Sequence, residues 1–244
     1  MVAAAGVHRL AYRSLLFVPA HDRQRLAAAF ASGADAVVAD LEDAVPPDRK
    51  DEARHVVAEF LPGAGGAARL VRVNPPETGR LDADLAAIAG LELDAVALPK
   101  ATPESVLALG AKGLPVVAVI ESAQGLRQAY EVASSPRVAA LVLGAGDLAL
   151  DLRLEPRPDA LELLYARSKL VADSAAAGIR APFDRVYPRY DDPEGLESDA
   201  RVARSLGFGG KACADPAQPA TVNRVFEAFD RDAAVAAKDA LFER

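Results

Sequence analysis

Acidic side chains follow two apolar runs of the chain closely, and these are the residues best suited to chemistry. Glu121 comes after the run VVAVI at 116–120, and Asp147 comes shortly after LVL at 141–143. A charge at the end of an otherwise dry strand is costly unless a partner stabilises it. If the two runs form neighbouring strands, about 4.8 Å apart, their carboxylates repel each other unless a cation lies between them.

The supply of ligand atoms favours a metal bound by oxygen. The chain has only His8, His21 and His55 as histidines and Cys213 as its single cysteine, which is a poor supply for a zinc site. Mg²⁺ is held at about 2.1 Å by one or two carboxylates and keeps waters that a substrate can replace. We therefore expect Glu121 and Asp147 to bind Mg²⁺, with Mn²⁺ as the alternative ion.

Two glycines, Gly144 and Gly146, stand just before Asp147. Because glycine has no side chain, a metal or substrate could approach the backbone closely there. The alternative interpretation is a tight turn at the end of the strand.

Other polar residues end further apolar runs. Arg72 and Asn74 share one face of the run ARLVRVN, Lys100 ends AVALPK, and Glu42 and Asp43 end AVVADLED. Taken alone, a charged residue at a strand end is often a helix cap or part of a surface ion pair. The convergence of several such residues, with Glu121 and Asp147 on consecutive strands, favours a functional site.

The elements that must position these residues are eight short apolar runs separated by segments with helical spacing. Several of the helical segments open with Asp or Pro and close on Gly. The predicted strands are RSLLFVPA from residue 13, AVVADLED from 36, ARLVRVN from 68, AVALPK from 95, PVVAVIE from 115, ALVLGAGD from 140, RAPFDRVY from 180 and GGKACAD from 209.

Eight such repeats in about 250 residues predict a (β/α)₈ TIM barrel, with an open doubly wound sheet as the second choice. The first strand is not followed by the glycine-rich turn of a dinucleotide-binding fold. We expect a tail at 1–12, one barrel domain at 13–229 and an additional C-terminal helix at 230–244. In a TIM barrel, the carboxyl ends of the strands form the catalytic face.

Composition narrows the class of function. The chain has 28 basic and 35 acidic residues, a net charge of −7, and no basic cluster suited to nucleic acid. No apolar run reaches the roughly 18 residues that cross a bilayer, and the N-terminal sequence is too short and polar for a secretory signal. We expect a cytoplasmic protein that acts on a small molecule.

The ordered set RSLLFVPA, GADAVVADLEDAVPPDRKDEAR, VRVNPP, LPK, VIESAQGL, LGAGDLALDL and GFGGKACADPAQ resembles the citrate lyase β-subunit-like proteins of the HpcH/HpaI aldolase superfamily. The resemblance spans about residues 13–226. It implies a TIM barrel, assembled as a homotrimer or as several trimers, that makes or cleaves a carbon–carbon bond with Mg²⁺. The implied substrates are citryl-, citramalyl- or malyl-CoA-like thioesters and 2-oxoacids.

The resemblance also implies roles for individual residues. The metal ligands fall on Glu121 and Asp147, and the arginine that binds the substrate carboxylate falls on Arg72. Glu42 and Asp43 match an acidic pair that organises metal-bound water, and Lys100 matches the end of the LPK motif. Our candidate catalytic residues are Arg72, Glu42, Asp43 and Lys100, and our candidate substrate-binding residues are Arg72, Glu121 and Arg13.

The sequence departs from the family pattern at three places. Pro-Ala-His at 19–21 replaces a Pro-Gly turn followed by Asn or Asp, and Ala-Asp-Pro at 214–216 replaces Ile-His-Pro. Many relatives continue beyond the position of residue 244 with a segment that in several CoA lyases supplies an Asp to a neighbouring subunit. These departures leave open the CoA part of the substrate and the identity of the general acid and base.

The resulting hypothesis is a metal-assisted retro-Claisen or retro-aldol cleavage in which Arg72 holds the substrate carboxylate, potentially through two hydrogen bonds. Two alternatives stay open. One is a Schiff-base aldolase that uses Lys100 as its nucleophile. The other is a non-catalytic paralogue that binds an oxoacid or a partner subunit.

Overall fold

A closed barrel forms the centre of the molecule. The computed structural model describes residues 12–110 and 113–227, and in this part eight parallel strands follow one another around the ring in chain order, with β1 completing the ring against β8. The strands are β1 (Ser14–Pro19), β2 (Ala36–Asp40), β3 (Ala68–Arg72), β4 (Ala95–Leu98), β5 (Val116–Ile120), β6 (Val138–Leu143), β7 (Phe183–Asp184) and β8 (Gly210–Cys213). The predicted (β/α)₈ barrel is confirmed, and its closure excludes the open doubly wound sheet.

Helices connect the strands and cover the outside of the barrel. They are α1 (Arg23–Phe30), α2 (Lys50–Phe60), α3 (Leu81–Ala87), α4 (Pro103–Ala108), α5 (Ala123–Arg127), α6 (Ala129–Ala133), α7 (Ala145–Leu152), α8 (Leu164–Ala177), α9 (Pro193–Leu206) and α10 (Gln218–Val225). Short 3₁₀ turns lie at Pro47–Arg49, Leu61–Gly63, Pro76–Thr78 and Leu161–Leu163. As the sequence predicts, Asp side chains cap α1 and α9, and left-handed glycines end α8 and α9.

Alternation along the strands divides the apolar side chains into two cores. Leu15, Val38, Leu70 and Val119 belong to a cluster built from strand residues, which fills the barrel interior. Neighbouring strand residues of opposite parity pack with the helices in a second, larger cluster that includes Val37. Because every residue of β2, β5 and β6 is buried, these strands need apolar residues on both faces.

The seventh strand is shorter than predicted. The sequence suggests a strand through 180–187, but β7 contains only Phe183 and Asp184, which pair with β8, while Phe183 also pairs with β6. Pro182 precedes this pair and has no amide hydrogen to donate to a ladder. Buried charges secure the region instead, since Asp184 accepts hydrogen bonds from Arg167 and Lys211.

The first strand of the barrel, β1, begins at Ser14, and the domain boundaries at 12/13 and 229/230 stay predictions. Residues 1–11 of the predicted tail and the predicted helix at 230–244 lie outside the described residues. Within the described ranges, none of the helices has the length and apolar character needed to cross a membrane.

Candidate active site

Six of the seven predicted site residues meet at the carboxyl ends of β2 to β6. Arg72 Nη1 lies 3.1 Å from Glu42 Oε2 and 3.7 Å from Asp43 Oδ2. Lys100 donates its backbone N–H to Glu121 Oε1 at 2.8 Å, and its Nζ lies 3.7 Å from Asp147 Oδ2. We call this group, together with Asp40, the mouth cluster.

Arg72 is fixed by a carboxylate that sequence reasoning did not select. Its Nε and Nη2 donate to the two oxygens of Asp40 at 2.7 and 2.6 Å, and parallel pairing sets these two residues side by side on β2 and β3. Burial opposes the positive charge, but Asp40 and Glu42 more than offset this and raise the pKa of Arg72. Because Asp40 occupies the Nε–Nη2 edge of the guanidinium, that edge cannot make the predicted double hydrogen bond to a substrate. The remaining nitrogen, Nη1, is directed at Glu42 and Asp43.

Glu42 is buried and incompletely paired. Its Oε2 accepts no hydrogen bond among the described residues, although Arg72 Nη1 is near. Burial raises the pKa of Glu42 to about 7; Arg72 opposes the rise and Asp43 adds to it. The backbone that carries Glu42 is firmly held, because Lys50 Nζ donates to the carbonyl oxygens of Leu41 and Glu42 at 2.7 Å each.

Glu121 also lies in a dry position, with only 5% of its surface exposed. Burial raises the pKa of Glu121 to about 7, against the opposing effects of Arg72 and of the Lys100 N–H, and Asp147 contributes to the rise. Gly144 makes room for this side chain, since a Cβ built there would lie 2.5 Å from Glu121 Cβ and 2.6 Å from its Oε2. A Cβ at Gly146 would meet nothing within 4 Å.

Lys100 and Asp147 form the solvent side of the mouth cluster. Their side chains are 49% and 37% exposed, and Asp147 lies in the first turn of α7. Burial lowers the pKa of Lys100, but Asp147, Glu42, Asp43 and Glu121 outweigh it, and the pKa is raised overall. The ammonium group therefore keeps its proton at neutral pH.

Arg13 lies apart from this cluster. It stands before β1, at the amino ends of the strands, where its Nε and Nη2 donate to Asp35 at 2.8 Å each. Strand directions in a parallel barrel put this position at the opposite end from the mouth. We therefore omit Arg13 from the proposed substrate site and assign it an ion pair with Asp35.

Asn74 supports the site indirectly. Its side chain donates to Leu41 O at 3.0 Å and to Asp84 Oδ2 at 2.7 Å, rather than pointing into the mouth beside Arg72. Asp84 also accepts from Arg54 on α2. Asn74 and Lys50 thus bind the same carbonyl, that of Leu41, and hold the loop after β2 in place.

The charges in the mouth suit a divalent cation. Five carboxyl groups, those of Asp40, Glu42, Asp43, Glu121 and Asp147, face the cations of Arg72, Lys100 and Lys50, which leaves two negative charges when all are ionised. No group of three or more metal-ligating side chains occurs in the part of the chain that the structure describes. A cation held by Glu121 and Asp147 would therefore keep positions for water or substrate, as Mg²⁺ does.

Comparison with known proteins assigns the chain to a family. The family model described as HpcH/HpaI aldolase/citrate lyase matches residues 13–216. The chain belongs to the HpcH/HpaI aldolase/citrate lyase family. The predicted family and the predicted enzyme class, a lyase, are confirmed by the family match.

Individual members of the family share most of their length with the chain. A (3S)-malyl-CoA thioesterase of Cereibacter sphaeroides is 38% identical over 221 residues, which are 88% of this chain and 77% of that protein. The citrate lyase subunit beta of Leuconostoc mesenteroides subsp. cremoris is 35% identical over 237 residues, covering 90% of this chain and 78% of that one. The crystal structure of protein CitE from Mycobacterium tuberculosis in complex with magnesium, acetoacetate and coenzyme A has a TM-score of 0.81 and 30% identity, covering 96% of this chain and 88% of that chain.

Proposed function

We propose that the mouth cluster binds Mg²⁺ through Glu121 and Asp147 and that the enzyme cleaves a carbon–carbon bond in a 3-hydroxyacyl thioester of the citryl-, citramalyl- or malyl-CoA type. The observation that carries the proposal is the excess of carboxyl groups over cations around Arg72 and Lys100, where Glu42 and Glu121 are buried and their pKa values are raised to about 7. A divalent cation would supply the missing positive charge. Bound there, it would act as a Lewis acid that stabilises negative charge on a substrate oxygen.

Arg72 has the task of orienting the acid end of the substrate. Asp40 fixes the guanidinium through two hydrogen bonds, so the ordering of this long side chain is complete before substrate binds. Nη1 would donate one charge-assisted hydrogen bond to the substrate carboxylate, in competition with Glu42 and Asp43.

The reaction requires two proton movements. When the bond breaks, the carbon that bears the hydroxyl group becomes the carbonyl carbon of a 2-oxoacid, the hydroxyl proton is removed, and the carbon next to the thioester gains a proton. Glu42 fits a role in this transfer, because burial raises its pKa to about 7 and its Oε2, although 3.1 Å from Arg72 Nη1, accepts no hydrogen bond among the described residues. We propose that Glu42 Oε2, with Asp43 beside it, holds or relays the proton that leaves the hydroxyl group.

The relatives suggest the substrate class and a second candidate reaction. One relative is named for malyl-CoA thioester hydrolysis, and the CitE structure contains coenzyme A and acetoacetate. Similarity to the thioesterase makes hydrolysis the second candidate. Hydrolysis releases a free thiol, whereas carbon–carbon cleavage releases a 2-oxoacid and leaves the thioester intact.

The test is an assay of the full chain over malyl-, citramalyl- and citryl-CoA with two readouts. Phenylhydrazine detects the 2-oxoacid, and a thiol reagent detects free CoA. We expect the wild type to release oxoacid, EDTA to abolish this release and Mg²⁺ to restore it. The Glu121→Gln variant should release none. Thiol release without oxoacid would support hydrolysis instead. The absence of both products would favour the non-catalytic alternative.

Several finer predictions stay proposals. They are that the enzyme assembles as a homotrimer, that Mn²⁺ can replace Mg²⁺ and that the substrate carries CoA. The Schiff-base alternative receives no support from Lys100, because a nucleophilic lysine needs a lowered pKa and that of Lys100 is raised. Resistance of the enzyme to borohydride in the presence of substrate would test this directly.

A further inference from the structure

We propose that the ammonium group of Lys100 competes with the divalent cation for Asp147 and thereby limits the metal affinity of the site. This inference rests on the proposed metal site at Glu121 and Asp147. It assigns to Lys100 the role of a positioning residue that acts through the two metal ligands, in place of the catalytic role predicted from the sequence.

Lys100 contacts both proposed ligands, with different parts of the residue. Its backbone N–H donates to Glu121 Oε1 at 2.8 Å, and its Nζ lies 3.7 Å from Asp147 Oδ2. No other residue in the described part of the chain joins these two carboxylates through hydrogen bonds or ion pairs. Lys100 therefore bridges the two carboxylates.

The backbone at this position is unusual for a lysine. Lys100 has a φ of 48°, in the left-handed region that residues other than glycine rarely adopt. This conformation follows Pro99 at the end of β4 and accompanies the N–H contact with Glu121. The lysine is thus held at the site in spite of an unfavourable backbone, while glycine or asparagine would adopt this φ more readily.

Charge decides what the side chain does when a metal binds. A divalent cation at Asp147 and an ammonium group at the same carboxylate repel each other. Since the lysine side chain is half exposed and its stem is flexible, the ammonium can withdraw into solvent. Loss of its ion pair with Asp147 then reduces the observed metal affinity, while the backbone contact with Glu121 is unaffected.

The size of the effect follows from the exposure of the pair. Half-exposed ion pairs contribute little, so removing the ammonium should tighten divalent binding about two- to fivefold. Lys100→Met removes the charge but keeps the stem and the backbone N–H. Lys100→Gln is a second neutral variant, and Lys100→Arg keeps a cation next to Asp147.

The experiment measures the Kd of Mn²⁺ for the metal-free full chain by electron paramagnetic resonance at pH 7.5. We expect Lys100→Met and Lys100→Gln to bind about two- to fivefold more tightly than the wild type, and Lys100→Arg to match the wild type. Lys169→Met is the matched control, because Lys169 pairs with Asp173 on α8. Far-ultraviolet circular dichroism checks that each variant is folded.

Equal or weaker Mn²⁺ binding by the neutral variants would overturn the inference, because it would show that the ammonium does not oppose the metal. This result leaves the proposed metal site intact if Glu121→Gln still abolishes binding. Absence of Mn²⁺ binding in the wild type would overturn both the metal site and this inference.

Discussion

Replacing Glu121 with glutamine should make the metal-free protein more stable at alkaline pH. Burial raises the pKa of Glu121 from 4.5 to about 7. A carboxyl group with a raised pKa binds more protons in the folded than in the unfolded chain between these two values. The free energy of unfolding therefore falls as pH rises from about 4.5 to about 7. A difference of about 2.5 pKa units corresponds to about 3 kcal/mol.

Glutamine has nearly the same shape but no charge, so Glu121→Gln should regain up to about 3 kcal/mol at pH 8 in EDTA. At pH 5 the wild-type side chain is protonated, and the two proteins should be nearly equally stable. Excess Mg²⁺ at pH 8 should stabilise the wild type alone, because a ligand that binds only the folded state adds stability by mass action.

Urea unfolding followed by circular dichroism at pH 5 and pH 8, with EDTA or Mg²⁺, measures these differences. Glu104→Gln is the control, because Glu104 is exposed on α4; its effect should stay within about 0.5 kcal/mol. The reasoning is refuted if Glu121→Gln is no more stable than the wild type at pH 8 in EDTA. It is also refuted if the difference is the same at both pH values.

Four further substitutions, one of them a control, test how the site is held. Arg72→Lys removes the forked contact with buried Asp40; we expect kcat/KM to fall at least about 100-fold and stability to fall by about 3 kcal/mol, and an unchanged kcat/KM would contradict the assigned role. Gly144→Ala places a Cβ against Glu121, the proposed metal ligand, and should weaken Mg²⁺ binding at least about tenfold by calorimetry. Gly146→Ala, with open space around it in a helix, should leave binding unchanged and add about 0.5 kcal/mol of stability; equal binding by both variants would count against the packing argument. Lys50→Met removes two charged hydrogen bonds to the loop after β2 and should lower stability by about 2 kcal/mol and kcat about tenfold with little change in KM; a change confined to KM would point to a different role.

The barrel and most of the mouth cluster could be predicted because strand ends are visible in the sequence. Apolar runs end at Glu121 and Lys100, and a short glycine-containing stretch leads to Asp147. Alternation along β3 puts Arg72 on the same face as Leu70, which lies in the barrel interior, and its guanidinium lies 5.3 Å from the ring of Phe17. These inferences need only local periodicity and the rule that parallel strands end on the same face.

Residues that depend on tertiary approach could not be predicted. Asp40 shares the inward parity of β2, but its partnership with Arg72 follows from the strand register, which the sequence does not show. Lys50 reaches two carbonyls from the start of a helix, and Asn74 turns to Asp84 although its parity matches that of Arg72. Arg13 is different, because it opens the first predicted strand, and the rule that the carboxyl ends form the catalytic face already placed it at the opposite end of the barrel.

The role of Gly144 was only partly predictable. The sequence suggested that a glycine there lets a metal or substrate approach the backbone. In the structure, the space beside Gly144 is filled by the side chain of Glu121. The missing side chain was thus informative, but the space it leaves is used by Glu121 at the end of the neighbouring strand. This neighbourhood follows from the pairing of β5 with β6.

The central claim is that Glu121 and Asp147 share one divalent cation, and anomalous diffraction tests it most directly. A crystal of the full chain soaked in Mn²⁺ should show one anomalous peak within about 2.2 Å of a carboxylate oxygen of each residue, and the peak should be absent from Glu121→Gln crystals. A Mn²⁺-dependent enzyme whose crystals show no peak there, or show a peak only elsewhere, would contradict the account.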